Sequence, residues 1–322
     1  MKKITALKFM ALGILGSFLL TSCSDDNDSS TTVTPTPKTI AGVATSDPQF
    51  SILVQALQKA DLVTTLNGAG PFTVFAPTNT AFTKFLSDKG FASLDVVPTP
   101  DLKEILLNHV VSGNVPSTAL SAGYIKTLAK GSASATNNLS MYVDLRDGVK
   151  LNGVAKVTTA NVAASNGVVH IVDAVIDLPN IVTFAKSNPD FSILVSALTR
   201  TDMPDFAGIL SGAGSFTVFA PNNTAFGNLL TELGVAGLAD INTATLENTL
   251  KYHVVANANV LSSSLTEGQE VTTFQGGTFT IGLTGGAKIT DLNNRISNIV
   301  AVDVQAANGV IHVIDKVILP VL

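Results

Sequence analysis

The sequence predicts an α+β protein built from two copies of one domain, and three observations carry that prediction. A fifteen-residue phrase, GAGPFTVFAPTNTAF from Gly68 to Phe82, returns 144 positions later as GAGSFTVFAPNNTAF from Gly212 to Phe226, with thirteen residues unchanged. Within each copy, helical periodicity dominates the earlier part and β-branched runs the later part, so helices and strands are segregated rather than strictly alternating. The chain is 46% apolar and only 13% charged, which leaves ample material for buried cores in 322 residues.

The repeat reaches well past the first phrase. DPQFSILVQAL (Asp47 to Leu57) matches NPDFSILVSAL (Asn188 to Leu198), and NHVV (Asn108 to Val111) matches YHVV (Tyr252 to Val255). NGVVHIVDAVIDLP (Asn166 to Pro179) matches NGVIHVIDKVILP (Asn308 to Pro320), and the offset drifts only between 141 and 144. Solenoid units run from about 20 to 50 residues, so this period marks duplication of a whole domain. The join falls near Leu178 to Asn180, dividing the chain into residues 39–179 and 180–322.

Each element follows from local chemistry. Asp47 and Asn188 precede Pro48 and Pro189, a polar cap followed by proline at a first helical position. Phe50, Leu53, Val54 and Leu57 then recur at helical spacing, as do Phe191, Leu194, Val195 and Leu198. Gly68-Ala69-Gly70 interrupts the pattern. A dinucleotide fingerprint follows a strand and opens a helix, whereas here the order is helix, Gly-x-Gly, strand, which reads as a helix C-cap and tight turn. Phe72 to Ala76 reads as a buried strand stopped by Pro77, and Thr78 with Asn79 caps a helix carrying Phe82, Phe85 and Leu86. A third helix runs from Asp101 to His109 with Leu102, Ile105 and Leu106 as its stripe; its counterpart carries Leu246, Leu250 and His253. Strands and glycine turns fill the rest, closing on the NGVVHIVD strand.

FTVFAPTNTAF (FTVFAPNNTAF in the second copy), NHVV (YHVV) at a helix end and a closing NGVVHIVD (NGVIHVID) strand occur in this order in both copies, and together they resemble the hallmarks of a tandem pair of fasciclin domains. The resemblance covers Thr39 to Leu322. It implies a wedge of two small β-sheets flanked by helices in each copy, and a role in adhesion and extracellular matrix contacts. Asn108 departs from the pattern, standing where the family has tyrosine. In animal members, adhesion to integrins is associated with a Tyr-His pair and an Asp-Ile pair. Mapped here, the second copy keeps Tyr252-His253 and has Asp303-Val304, a candidate adhesion surface. The first copy has Asn108-His109 and Asn161-Val162 and keeps little of either. The alternative is that Tyr252 simply packs and Asp303 ends a turn.

Residues 1–22 read as a lipoprotein signal peptide. Lys2, Lys3 and Lys8 precede an apolar run, Phe9 to Leu20, too short to span a bilayer as a mature helix. Leu20-Thr21-Ser22-Cys23 resembles the bacterial lipobox, which makes Cys23, the single cysteine, the expected lipid attachment site and leaves no intramolecular disulfide. Residues 23–38 are polar, acidic and rich in Ser, Thr and Pro, the composition of a disordered tether. The acidic SDDND run resembles surface-export signals of Bacteroidetes lipoproteins. The expectation is a cell-envelope, outer-membrane lipoprotein held on the membrane by its N-terminal lipid and exposed at the surface. Removing three leader lysines from 19 basic residues leaves 16 against 24 acidic, a net charge of −8. Such a chain is a poor partner for nucleic acid.

The candidates for chemistry are few. Four histidines, His109, His170, His253 and His312, fall two per copy on apolar helix stripes or in apolar strands. They read as core histidines, with metal binding or proton transfer as the alternative. Zinc asks for three or four ligands at defined spacing, which this sequence does not offer. Asp173 and Asp315 fall on the strand face opposite the nearby histidine, and no G-x-S-x-G elbow exists. No catalytic residue, cofactor or metal is expected. With no Trp and only Tyr124, Tyr142 and Tyr252, a broad sugar-stacking platform is absent, which leaves room for a hydrogen-bonding polar site. The leading function is adhesion to an extracellular protein or glycan. A binder of a small apolar molecule or lipid comes second, and a hydrolase last.

Overall fold

The computed structural model describes residues 37–321, so the leader, Cys23 and nearly all of the tether lie outside the described residues. In the first domain the order is α1 (Ile40–Ser46), α2 (Ser51–Lys59), α3 (Val63–Asn67), β1 (Phe72–Pro77), α4 (Asn79–Asp88) and α5 (Thr99–Leu107). Then come β2 (Val110–Ser112), β3 (Gly123–Gly131), β4 (Ser134–Asp144), β5 (Lys150–Leu151), β6 (Ala155–Ala164) and β7 (Gly167–Val172). The second domain repeats the order with α6 (Ile181–Ser187), α7 (Ser192–Leu198), α8 (Phe206–Ser211), β8 (Phe216–Pro221), α9 (Asn223–Leu233) and α10 (Thr243–Tyr252). It closes with β9 (Val254–Ala256), β10 (Glu270–Thr272), β11 (Thr278–Gly282), β12 (Lys288–Thr290), β13 (Ile296–Ala306) and β14 (Gly309–Ile314).

The recurring apolar phrases lie against each other. β1 and β7 pair in parallel, from Phe72 opposite Gly167 to Pro77 opposite Val172, and β8 and β14 do the same. The other pairings within each sheet are antiparallel, in the order β2-β1-β7-β6-β5-β4-β3, with the second domain alike. The start of β6 pairs with β5 while the remainder pairs with β7, so the two small sheets of the expected wedge are continuous through one bulged strand. The central parallel pair is buried on both faces, which explains an apolar run broken only by Thr73 and His170 in place of alternation. Val74, Ala76, Val169 and Ile171 face the helices with Phe82, Leu102 and Ile105. Phe75 and Val172 face the wedge interior with Met141, Val143 and Leu151.

Polar side chains join segments far apart in sequence. Thr78 caps α4 by accepting from the Ala81 amide, and Thr78→Ala should cost about 1 kcal/mol. In thermal unfolding that is a drop of about 2–4 °C, and an unchanged midpoint would remove the cap from the account. Asn79 does not share this duty, contrary to expectation. Its Oδ1 accepts from the Ile52 amide and its Nδ2 donates to the Pro48 carbonyl and Ser51 Oγ, holding α4 to the start of α2. Gly68 is the C-cap of α3, as expected, its amide donating to the Thr65 carbonyl. Gly68 is extended at φ −65°, and the Leu66 and Gly68 carbonyls are satisfied by Asn166 Nδ2 at 2.8 Å each. Asn166 Oδ1 accepts from the Ile40 amide, so one side chain closes α3, opens α1 and leads into β7. Asn308 makes the same three contacts in the second domain.

The two domains are docked. The β3–β4 hairpin of the first lies on the bulged β13 of the second. Ser140 Oγ accepts from the Gln305 amide (3.0 Å), Lys126 Nζ donates to the Asp303 carbonyl (2.7 Å), and the Ala133 amide donates to the Ala307 carbonyl (2.8 Å). Tyr142 is buried within the second domain's helical core, and Tyr124 meets Phe184 edge-on at 5.4 Å. A Cβ on Gly131 would collide with the Ala307 backbone, so a side chain there would push the domains apart.

Candidate functional site at the domain junction

All four imidazoles are spent on backbone groups. His109 Nδ1 donates to the Ile105 carbonyl and Nε2 accepts from the Ile176 amide, both at 2.8 Å. His253 repeats this with Thr249 (2.7 Å) and Ile318 (3.1 Å). In the strands, His170 Nε2 donates to Val115 and Nδ1 accepts from Asn161, while His312 does so with Val260 and Asp303. One nitrogen must carry a proton and the other must not, so each ring is held neutral in one tautomer. Burial pushes His109 and His253 down to about 4 and also lowers His170 and His312. No side-chain nucleophile or acid among the described residues bonds to an imidazole. Nor does any group of three or more His, Cys, Asp or Glu among them sit where it could hold a metal.

Tyr252, His253, Asp303 and Val304 do not form a common surface, which corrects that expectation. Tyr252, His253 and Val304 are 0%, 4% and 2% exposed. The Tyr252 hydroxyl donates to the Thr278 carbonyl (2.5 Å) and its ring meets Phe279 edge-on. Asp303 sits in a β-bulge at φ 59°, its carboxylate accepting from the Ser262 amide (2.8 Å) and hydroxyl (2.5 Å). Asn161, at φ 63°, makes matching bonds to Ser117. Both residues are short polar types that tolerate a left-handed backbone, and both hold a bulge against a preceding turn. Asn108, at the position of Tyr252, is buried; it donates to the Ile176 and Asp177 carbonyls and leaves Oδ1 without a partner.

Cavities inside the domains are small. One behind α6 and α7, lined by Phe191, Leu194, Leu210 and Ile311, holds about 40 Å³, and its counterpart in the first domain about 20 Å³. Binding pockets for small molecules typically hold roughly 300–1,000 Å³. Neither cavity takes a lipid chain without rearrangement.

Two larger spaces lie where the domains meet. One cleft of about 320 Å³ is walled by Tyr124 and Tyr142 from the first domain and by Asn188, Asp190, Asn222, Val300 and Val313 from the second. Another, of about 390 Å³, lies among Lys126, Asn137 and Asn138 on one side and Leu261, Asp303 and Gln305 on the other. Lys126 bridges the domains there, donating also to Ser140 Oγ, and its burial lowers the ammonium pKa. Sequence reasoning missed these residues, because each cleft exists only once both domains are in place. A signal was present in the differences between the copies. Tyr124 pairs with Tyr142 across the first hairpin, while Glu270 pairs with Thr280 at the corresponding place in the second.

Comparison with known protein families agrees with the duplication of one domain. A family model described as Fasciclin domain matches residues 48–179 and again residues 189–320. Human periostin is 31% identical over 260 residues, covering 79% of this chain and 29% of periostin. Protein sll1483 of Synechocystis sp. is 40% identical over 144 residues, covering 44% of this chain and 75% of that protein. The solved FAS1 domain pair of the insect cell adhesion molecule Fasciclin I is 20% identical, with a TM-score of 0.49 over 83% of this chain and 95% of that one. The chain thus spans less than a third of periostin and three quarters of the cyanobacterial protein.

Proposed function

The chain belongs to the fasciclin domain family, and from that premise we propose that it is an adhesion or matrix-contact module displayed at a bacterial cell envelope. The observation that carries this reading is the docking of the two domains: the imidazoles are turned inward onto backbone groups, while the junction leaves open, polar-rimmed clefts. Such clefts suit holding and presenting a partner. The contact is with an extracellular protein or glycan. Cys23 carries the lipid that holds the chain on the outer membrane, and residues 24–38 set its reach.

Cells displaying the full chain are expected to adhere to surfaces coated with matrix protein or polysaccharide, and Cys23→Ser cells to lose that adhesion as the protein moves to the soluble fraction. Retention of the Cys23→Ser protein on membranes would remove the anchor, and adhesion indifferent to the protein's presence would remove the function.

A further inference from the structure

We propose that the junction cleft beside Tyr124 and Tyr142 binds a single neutral sugar residue. The inference rests on the adhesive reading and names the chemistry of its contact.

The cleft has the two faces that a pyranose requires. Its floor is apolar: Val313 is buried and Val300 is 55% exposed, although valine gains nothing by facing water. At the position of Val300 the first domain has Thr158, on a face that no second hairpin covers. The C–H face of a sugar ring covers such a surface without forfeiting hydrogen bonds. Its rim is polar, and part of that polarity is unused. Among the described residues, neither the Tyr142 hydroxyl nor the Asp190 carboxylate has a hydrogen-bond partner. The Tyr124 hydroxyl accepts from Asn188 Nδ2 (3.2 Å), which leaves its proton free to donate. Asn222 spends its Oδ1 on the Ala225 amide and keeps its Nδ2. Two phenol donors, one amide donor and a carboxylate that accepts from two neighbouring hydroxyls therefore converge over an apolar floor. A polyol, whose hydroxyls both donate and accept, matches this mixture better than a peptide backbone with its fixed alternation.

The free hydrogen-bond donors decide between a sugar and a cation. A carboxylate beside two tyrosine rings also suits an ammonium ion. Asp190, however, lies within electrostatic reach of the Arg146 guanidinium, itself held by Asp144 at 2.7 Å. Arg146 is already spent on Asp144, so the carboxylate of Asp190 keeps its charge, but a cation would leave the two phenol protons and the Asn222 amide with nothing to donate to, whereas sugar hydroxyls accept from all three. The volume of about 320 Å³ lies at the lower end of the ligand-pocket range, room for one ring and not for a chain.

Saturation-transfer NMR on the purified full chain tests this, with methyl glycosides of glucose, galactose, mannose and N-acetylglucosamine as probes and tetramethylammonium as the cationic competitor. At least one glycoside is expected to bind. Asp190→Asn should weaken it roughly tenfold and Tyr142→Phe roughly threefold, both with unchanged unfolding midpoints. Lys84→Gln, on the exposed face of α4, should leave binding unchanged. Absence of transfer to every glycoside, equal transfer in the Asp190→Asn/Tyr142→Phe double variant, or displacement by tetramethylammonium would each overturn the assignment. If the double variant loses sugar binding while its cells still adhere, the sugar site stands on its own and the adhesive contact lies elsewhere.

Discussion

Between pH 7 and pH 4 the folded protein is expected to lose about 3 kcal/mol of stability at His109 and about as much again at His253. In the unfolded chain each imidazole titrates near 6.5, and in the folded chain burial pushes it down to about 4. Through this window the unfolded state binds protons that the folded state refuses, so acid favours unfolding. Below about 4 both states are protonated and this contribution levels off. The geometry explains why the folded state resists. A proton on His109 Nε2 would point at the Ile176 amide, and one on His253 Nε2 at the Ile318 amide, so protonation breaks a buried bond and sets donor against donor. Domains of this size hold only about 5–15 kcal/mol in total. The pair of histidines, one per domain, thus removes roughly a fifth to three fifths of each domain's stability at pH 4. Denaturant midpoints taken in small pH steps, with the imidazole protons followed by NMR, would check this. A flat midpoint from pH 6.5 to 4, or imidazoles that titrate near 6.5, would contradict it.

Replacing Gly167 or Gly309 by alanine is expected to cost more than about 4 kcal/mol and to unfold the domain that carries it. These glycines open β7 and β14 at φ 151° and 157°, where a Cβ is strained whatever the space. There is also no space. A Cβ on Gly167 would run into the Phe72 carbonyl, and one on Gly309 into the Phe216 carbonyl, each on the neighbouring parallel strand. Those oxygens are part of a fixed backbone and cannot swing aside like the end of a side chain. Relief would require parting the central strands, over which both cores of the domain are built. Gly90→Ala is the control: its φ is 72° but nothing lies within 4 Å of the added carbon, so a loss of about 1 kcal/mol is expected. Denaturant unfolding of the three variants separates the two mechanisms, and a Gly167→Ala protein as stable as Gly90→Ala would refute the steric argument.

The duplication, the central strands and the helical stripes were legible because they are local. Phe72 to Pro77 is apolar at every residue but Thr73 because both of its faces are covered, and Leu102, Ile105 and Leu106 fall on one stripe because a helix turns every 3.6 residues. The histidines were legible as far as their apolar neighbours reach. Asn79 and Asn166 show where that reach ends. Each is the kind of residue that caps or turns nearby, yet their partners lie 27 and about 100 residues away, so nothing beside them announces what they hold. Tyr252 shows the converse: a motif pointed to a surface, while burial against Phe279 keeps the side chain inside.

By itself, then, the sequence determined the α+β class and the tandem repeat with its order of elements, since periodicity and turn chemistry act over a few residues. The tertiary structure alone decided the docking of the β3–β4 hairpin onto β13 and, with it, the clefts. Those features depend on side chains some 160 to 180 positions apart, such as Ser140 with Gln305 and Lys126 with Asp303, which meet only when both domains have folded.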